Sequence, residues 1–325
     1  MNSNYFDNEN RLIPHGVMFH HFHHEGDRPY AQGSITSEQF QKIIEFIGPK
    51  NILPANTWLE KAINKELREK EICITLDDSL KCQMEIAYPV LQKFGISAFW
   101  FVFSSVFKGQ ANRLEIYRYF YNIYFPNFDE FYEVFKKYFL MSSINYLYDD
   151  NINLFLKSDY LKEFVHYSEK EREYRFYRDK ILNRKNFESI MDSIMIDYDI
   201  DINIISKNLW MNNEDLAILN SNNQIIGLHS YTHPTNMAQL DIDKQQKEYL
   251  KNKNHISSIT CETPLTVSHP CGSYNNSTLK VLDQLGIEIG FRSNFQKLSH
   301  TTMEFPRVDH SNIIQELNQK RGYVK

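Results

Sequence analysis

Two groups of polar side chains in this sequence have the residue types that metal-assisted hydrolysis requires. Asp77 and Asp78 are adjacent and end the apolar run EICITLDD. His229 and His233 lie four residues apart, directly after the apolar run QIIGL. On a first helical turn, two imidazoles at this spacing share one face and can chelate one divalent metal. One carboxylate, two imidazoles and a spare carboxylate match the ligand count of an open catalytic zinc site.

Each group also has a purely structural interpretation. Asp78 or Ser79 could cap the helix that follows the strand, and the two histidines could be polar loop residues. Adjacent like charges at the carboxyl end of a buried strand are costly, however, unless a metal or a partner is bound there. The zincin motif H-E-x-x-H is excluded because Ser230, not Glu, follows His229. Together the two groups favour a hydrolase whose unbound aspartate takes a proton.

In this order the two motifs resemble those of the polysaccharide deacetylase family, the family 4 carbohydrate esterases. The segment Thr75-Leu76-Asp77-Asp78 is similar to the family's T-F-D-D motif, with Leu in place of Phe. His229, Ser230 and His233 meet its H-[ST]-x-x-H motif in full. The resemblance implies an α/β fold, a distorted (β/α) barrel, that removes acetyl groups from N-acetylated sugars.

The resemblance also implies a role for each matched residue. It makes Asp77 the general base and Asp78, His229 and His233 the metal ligands. Mixed nitrogen and oxygen ligation with an open position suits one divalent metal, with zinc the expected ion. The substrate implied is an acetamido sugar or a glycan precursor.

The family's third motif, Arg-x-Pro-Tyr-Gly, falls on residues 268–272, Ser-His-Pro-Cys-Gly. Ser268 therefore stands at the Arg position and Cys271 at the Tyr position. The backbone N–H of Cys271 can still stabilise an oxyanion, since that role needs no particular side chain, so Pro270 and His269 are expected beside the substrate. No cysteine-hydrolase signature surrounds Cys271, and a small neutral loop residue is favoured over a nucleophile.

The family's Asp-x-x-Asp-Trp and Leu-x-His motifs, the second of which supplies its general acid, have no match here. In that region residues 305–310 read Phe-Pro-Arg-Val-Asp-His, which resembles the P-R-x-D ending of a divergent branch. We expect Arg307, oriented by Asp309, to replace the missing Arg beside Asp77 and keep that base ionised. His310 or an N-terminal histidine is expected to donate the proton. The nearest other cations are Arg292 and Lys297.

Four histidines follow the first predicted strand: His20, His21, His23 and His24. Because side chains alternate along a strand, His20 or His21 is expected to line the barrel mouth. The alternative interpretation is a group of solvated loop histidines.

Strands are predicted at six apolar, β-rich runs separated by amphipathic stretches, the pattern of βα units in a parallel sheet or barrel. The runs are HGVMFHHF, EICITLDD, ISAFWFVFSS, QIIGLHS, LTVSHP and IEIGFRS. A helix follows the first run, with Thr36 and Gln39 as a capping box and Gly48 at its end. Two longer helices are predicted over residues 79–94 and 241–252.

The βα rhythm is interrupted between residues 106 and 209, where the sequence is charged, aromatic and helically spaced. We therefore predict a barrel in two parts, residues 1–105 and 210–325, with residues 106–209 as a helical, aromatic-rich insertion. Twelve aromatic residues lie between Tyr117 and Phe139. Such residues usually pack in a core or an interface, so a lid or homo-oligomer contact is predicted first and a platform for sugar rings second.

Composition excludes several classes of protein. Thirty-six basic and 41 acidic residues give a net charge of −5 without a basic stripe, so no nucleic-acid partner is expected. The four cysteines form no C-x-x-C pair, which suits a reducing compartment. The polar N-terminus and the lack of an 18-residue apolar run predict a cytoplasmic protein without a membrane span.

Three functions remain open from the sequence. The first is a metal-dependent N-deacetylase acting on an acetamido sugar in surface-glycan assembly. The second is a non-catalytic member that binds a glycan or a partner, which would have no use for tightly bound stoichiometric metal. The third is a hydrolase of another bond, such as a cyclic imide, a urea-type amide or an O-acetyl ester, because the same activated water serves all of them.

Overall fold

The computed structural model describes residues 5–162, 167–295 and 301–320. Within these ranges the chain forms two compact units. The first contains the described parts of Met1–Asp27, Gly33–Asn112 and Leu209–Lys325. The second contains Arg28–Gln32 and the described part of Arg113–Asn208.

Seven short parallel strands form the centre of the first unit as far as the chain is described. They are β1 His15–Phe19, β2 Ile72–Asp77, β3 Phe99–Val102, β4 Ile225–Leu228, β5 Thr266–Ser268, β6 Ile289–Phe291 and β7 Arg307–Asp309. Their spatial order is β6-β5-β4-β3-β2-β1-β7. A further parallel bridge between Phe291 and Phe305 joins the two edges, so the barrel is nearly closed. The expected distorted (β/α) barrel is therefore confirmed.

Helices surround the strands of the first unit and make up most of the second. In chain order they are α1 Ser37–Ile47, α2 Ala55–Ile63, α3 Tyr88–Phe94, α4 Arg113–Tyr124, α5 Phe128–Met141, α6 Tyr146–Leu156, α7 Glu169–Phe176, α8 Arg184–Asp197, α9 Ile202–Leu209, α10 Asn213–Ser221, α11 Ile242–Thr260, α12 Asn276–Gln284 and α13 His310–Lys320. Among the described helices, none has both the length and the apolar character needed to cross a bilayer.

The start and end of α1 follow the predicted sequence signals. The Thr36 hydroxyl accepts a hydrogen bond from the Gln39 backbone N–H, and the Gln39 side chain accepts one from the Thr36 N–H. The helix ends at Gly48, whose φ of 87° favours glycine. The capping box and the glycine stop are thereby confirmed.

Two other helices differ from their predicted bounds. Asp78 and Ser79 both have left-handed φ values, 79° and 58°, so the chain turns before it can coil. A π-helical turn over Gln83–Ala87 then precedes α3, in place of one helix over residues 79–94. The helix predicted over 241–252 continues to Thr260 and stops where Cys261 takes a left-handed φ of 59°.

An apolar cluster packs α2 against the strands of the barrel. Trp58, Phe99, Phe101 and Phe291 are fully buried against one another. In a parallel barrel the carboxyl ends of the strands meet at one edge. This arrangement brings the ends of β2, β4 and β5, and the loops that follow them, to the same side of the molecule.

The second unit has an aromatic core of its own. Phe131 and Phe135 lie 5.5 and 4.8 Å from Tyr174 between ring centroids. Phe120 and Phe139 are also fully buried. Many of the aromatic side chains of the predicted insertion thus pack against each other within this unit, which gives its short helices the apolar burial they need.

Candidate metal and hydrolytic site

The turn after β2 sends its two carboxylates in different directions. Consecutive left-handed residues, Asp78 and Ser79, follow Asp77 directly. The Ser79 hydroxyl bonds to the backbone of Phe103 on the neighbouring chain segment, and no helix-capping bond from Asp78 or Ser79 is found in the described residues. The Gln83 side-chain amide donates to the carbonyls of Asp77 and His20. The capping interpretation of Asp78 and Ser79 is therefore wrong.

The histidine pair lies in a loop and not on a helical turn. Ser230 and His233 have φ values of 66° and 54°, which break any helix there. The Ser230 hydroxyl accepts a hydrogen bond from the His233 N–H at 3.1 Å. The Glu248 carboxylate accepts from the two backbone amides in between, at 3.1 and 2.7 Å. The predicted helical turn is thus corrected, yet this loop still brings both imidazoles together.

Asp78, His229 and His233 converge on one point. The Nε2 atoms of both histidines lie 3.3 Å from Asp78 Oδ1. One ligand atom from each residue lies within 4.8 Å of the others. Asp78 Oδ1 is shielded from solvent and accepts no hydrogen bond from the described residues. Buried oxygen without a donor is costly, so this donor set fits a divalent metal.

The protonation states of Asp78 and His233 suit this role, whereas at His229 the lowering effect of burial is outweighed by the Asp77 and Asp78 carboxylates, which raise its pKa. Burial lowers the pKa of His233 to about 4, which leaves its imidazole neutral near pH 7. Burial opposes ionisation of Asp78, but the imidazoles of His233 and His229 outweigh it and hold its pKa well below the usual range. His229 Nδ1 donates to the Ser268 carbonyl at 2.8 Å, so its Nε2 carries the lone pair in the neutral ring.

Asp77 forms a buried, bidentate ion pair with Arg307. Arg307 Nη1 donates to Asp77 Oδ1 and Nη2 donates to Oδ2, both at 2.8 Å. Only 2% of the Asp77 side chain and 1% of the Arg307 side chain are exposed. Burial raises the pKa of Asp77, but Arg307 and His229 more than offset it, and the net pKa is lowered. The carboxylate is therefore ionised near pH 7.

Arg307 reaches Asp77 from the opposite side of β1. Gly16 on β1 is the register partner of Arg307 on β7, and β1 also pairs with β2. A Cβ at Gly16 would lie 3.2 Å from Arg307 Cγ and 3.3 Å from its Cδ. The absence of a side chain at Gly16 leaves room for the arginine to cross. Arg307 Nε then donates to the Arg292 carbonyl at 2.6 Å.

Two expectations for the segment after Arg307 require correction. The Asp309 carboxylate accepts hydrogen bonds from the backbone and hydroxyl of Ser311, so it does not orient Arg307. His310 lies at the start of α13, where its Nδ1 is 3.2 Å from the Met18 carbonyl and its Nε2 is 2.8 Å from the Gly33 carbonyl. Both ring nitrogens face backbone oxygens, so the structure does not bring His310 to the site as a proton donor.

Of the two alternative cations, Arg292 bonds elsewhere. The Arg292 Nε donates to the Glu304 carbonyl at 3.0 Å. Lys297 lies outside the described residues.

The N-terminal histidines differ in their exposure and in their distance from Asp77. His20 Nε2 is 4.0 Å from Asp77 Oδ2, and 27% of the His20 side chain is exposed. His21 is buried, and its ring is stacked 6.2 Å from that of His20. His24 is exposed. His20 is thus the histidine of this group that the structure places beside Asp77.

The third-motif loop contributes its residues unequally. His269 is fully buried, with Nε2 2.9 Å from the Met303 carbonyl and its ring stacked 4.2 Å from Tyr274. Burial lowers the pKa of His269 to about 4, so it is a neutral residue of the barrel wall. Pro270 is buried in a short 3-10 turn, where Cys271 is exposed and has a left-handed φ of 52°.

Two residues that hold the site together were missed by motif analysis. Ser268 bonds to both Asp77 and Arg307 through its hydroxyl. Asn252 on α11 accepts from the His229 N–H at 2.9 Å and donates to the Val102 carbonyl at 3.0 Å. The sequence could have indicated Ser268, because it stands at the position of the family's arginine. It could not have indicated Asn252, because a single asparagine on a polar helix follows no motif.

Comparison with known proteins gives one family match and several similar folds. Residues 200–290 match the sequence model of the polysaccharide deacetylase family. No curated protein matches the sequence. The fold is similar to that of the Streptococcus pyogenes deacetylase PplD, solved in complex with acetate, with a TM-score of 0.54, 14% identity and coverage of 93% of this chain and 96% of that one.

Two further solved structures have the same fold. IcaB from Ammonifex degensii aligns with a TM-score of 0.52 and 11% identity, covering 91% of this chain and 90% of that one. A de-N-acetylase from Aggregatibacter actinomycetemcomitans aligns with a TM-score of 0.52 and 12% identity, covering 91% and 94%. At such identities the likeness shows the fold alone. With the sequence match, it confirms the resemblance to the family.

Proposed function

We propose that this chain, which shares sequence over residues 200–290 and fold with the polysaccharide deacetylase family, removes the acetyl group from an acetamido sugar or glycan precursor. One observation carries the proposal. The three converging donors of Asp78, His229 and His233 lie beside an ionised carboxylate, and Asp77 Oδ2 is 3.9 Å from His229 Nε2. A ligand set with an adjacent base is what hydrolysis of an amide by an activated water requires.

Each group of the chain has a distinct task in the proposed reaction. A divalent metal, zinc by its nitrogen and oxygen donors, would polarise the scissile carbonyl and lower the pKa of a water when bound there. The Asp77 carboxylate takes the proton of the attacking water, and the paired Arg307 keeps Asp77 ionised until then. The Cys271 N–H, in the loop after β5, is the proposed donor to the oxyanion.

His20 is proposed as the group that protonates the leaving amine. It is the partly exposed imidazole beside Asp77, with Nε2 4.0 Å from Asp77 Oδ2. Asp77 takes a proton from water, and His20 must donate one to the sugar nitrogen. The two side chains of the proposed acid and base are therefore close together. This assignment takes the place of His310.

We expect His20→Asn to lower the turnover of an N-acetyl substrate by roughly 10²- to 10⁴-fold, the usual contribution of a general acid. Hydrolysis of 4-nitrophenyl acetate should fall far less, because nitrophenolate leaves without a proton. Steady-state rates on both substrates measure the difference. His24→Asn, an exposed histidine of the same loop, is the matched control. Equal losses on both substrates in His20→Asn would remove it from the acid role.

Removing the cation beside the base should shift the pH dependence. Asp77 must be ionised to work, and Arg307 lowers its pKa. We expect Arg307→Met to raise that pKa, and with it the acidic limb of the pH profile of kcat/KM, by about 1–3 pH units, the usual effect of a neighbouring opposite charge. Arg307→Lys should shift it less. If the acidic limb of the kcat/KM profile is unchanged in Arg307→Met, and metal content is also unchanged, Arg307 does not keep Asp77 ionised.

The proposal is tested by a screen for acetate release. The metal-free protein is supplied with zinc and offered acetamido sugars, their oligomers and nucleotide sugars. Zinc-dependent release from one class supports the proposal and identifies the substrate. Stoichiometric zinc without release from any of them would contradict it and favour a binding function or hydrolysis of another bond.

A further inference from the structure

We infer that Ser268 is a positioning residue that joins the base, its arginine and a metal ligand into one unit. This inference rests on the proposed function for its catalytic consequence. Ser268 is the last residue of β5 and is fully buried. Its hydroxyl contacts Asp77 and Arg307, and its carbonyl contacts His229.

The direction of each hydrogen bond of the Ser268 hydroxyl is fixed by its partners. Arg307 Nη2, which can only donate, lies 2.7 Å from Ser268 Oγ, so the hydroxyl oxygen must accept. The single hydroxyl proton is then left for Asp77 Oδ2, 3.0 Å away, which when ionised can only accept. Since the residue is buried, water does not compete for either bond. The hydroxyl therefore holds Oδ2 in one orientation.

Asp77 Oδ2 is the oxygen on which that orientation matters. It receives hydrogen bonds from Arg307 Nη2 and Ser268 Oγ. It also lies 3.9 Å from His229 Nε2 and 4.0 Å from His20 Nε2. The two hydrogen bonds engage both lone pairs of Oδ2 and so fix its position beside the imidazoles of the site.

The main chain of the same residue orients the metal ligand. The Ser268 carbonyl accepts from His229 Nδ1 at 2.8 Å, which fixes both the ring orientation and the tautomer. Ser268 is held in register by pairing with Phe291 on β6. Because one residue supplies both contacts, a movement of β5 would displace the base and the ligand together.

The small side chain at this position also suits the route taken by Arg307. The guanidinium crosses β1 at Gly16 and ends against Ser268 Oγ. A larger side chain at position 268 would occupy the space into which the guanidinium extends. Serine at the family's arginine position and arginine on β7 are thus two parts of one arrangement.

The test compares Ser268→Ala with Thr266→Val in the full chain. Thr266 lies two residues earlier on the same face of β5, is fully buried, and its hydroxyl has no hydrogen-bond partner among the described residues. We expect Ser268→Ala to lower kcat by roughly 10- to 100-fold, the loss expected for one hydrogen bond to a charged group. Bound zinc should be unchanged, because the carbonyl at position 268 that orients His229 remains. KM should also be unchanged, because the lost hydrogen bond acts on the base and not on the substrate. Thr266→Val should keep the wild-type kcat.

A second measurement needs no activity. Urea unfolding midpoints of the metal-free protein are compared for Ser268→Ala, Arg307→Met and the double variant. If Ser268 acts jointly with Arg307, its replacement should lower the midpoint in the wild type and much less in the Arg307→Met background. Additive shifts, or a wild-type kcat in Ser268→Ala, would overturn the inference. If the shifts are non-additive but the protein releases no acetate, Ser268 and Arg307 are still coupled. The proposed function would then be rejected while the structural coupling is kept.

Discussion

Asp77→Asn should abolish most deacetylation while the protein keeps its metal. The amide is close in shape to the carboxylate but cannot accept the proton of the attacking water, and Asp77 lies outside the proposed ligand set. Loss of a general base costs about 10²- to 10⁴-fold in turnover. The measurement pairs kcat with zinc content by elemental analysis. Parallel loss of zinc and activity would mean that Asp77 is a ligand and not the base.

The Asp77→Asn result requires a control for stability. The change leaves the buried guanidinium of Arg307 without a carboxylate, and breaking a buried ion pair costs about 3–5 kcal/mol. Rates must therefore be compared at temperatures where unfolding curves show the variant to be folded. Asp283→Asn offers a matched control, since it makes the same chemical change to an exposed carboxylate on α12. It should leave both zinc and turnover near wild type.

His233→Ala should lose the metal. Its Nε2 is one of three donors around the proposed metal position, 3.3 Å from Asp78 Oδ1. Loss of outer-shell partners alone weakens metal binding by about 10- to 100-fold, so loss of a direct ligand should exceed about 100-fold. Calorimetric titration of zinc into the metal-free variant measures the effect. Affinity equal to that of wild type would show that the ligand assignment is wrong.

Thermal unfolding separates metal loss from damage to the fold in His233→Ala. A ligand that binds the folded state raises Tm. We expect zinc to raise the Tm of the wild type and of the exposed-loop control His24→Ala, and to leave that of His233→Ala unchanged. In the presence of a chelator, the three proteins should unfold at similar temperatures.

Strands β1 to β6 and the meeting of the main motifs could be predicted because both depend on features that are local in sequence, whereas the three-residue strand β7 was not predicted. Strands buried on both faces are continuous apolar runs, as in ICITLD of β2 and FWFV of β3. The carboxyl ends of parallel strands share one edge of a barrel, so Asp78 and His229 had to lie near each other.

The shapes of the loops could not be predicted in the same way. Left-handed conformations at Asp78, Ser230 and His233 occur without glycine and are stabilised by tertiary contacts, such as those of Glu248. The sequence pattern of His229 and His233 matches a helical turn equally well. Only the folded loop distinguishes the two.

Register decides the roles of the residues after Phe305. Strand β7 has three residues, so a shift by one would exchange the side chains that face the interior. In the structure Arg307 points to Asp77, whereas α13 begins at His310 and turns its ring towards backbone carbonyls. Neither outcome is encoded in a local pattern.

The most direct test of this account is acetate release from an acetamido sugar while zinc is titrated into the metal-free protein. The account predicts no release without metal and a rise in rate that saturates at one zinc per chain. His233→Ala should show no rise over the same range. Release that is independent of metal, or a fully zinc-loaded wild-type protein that hydrolyses no acetamido substrate, would contradict the central claim.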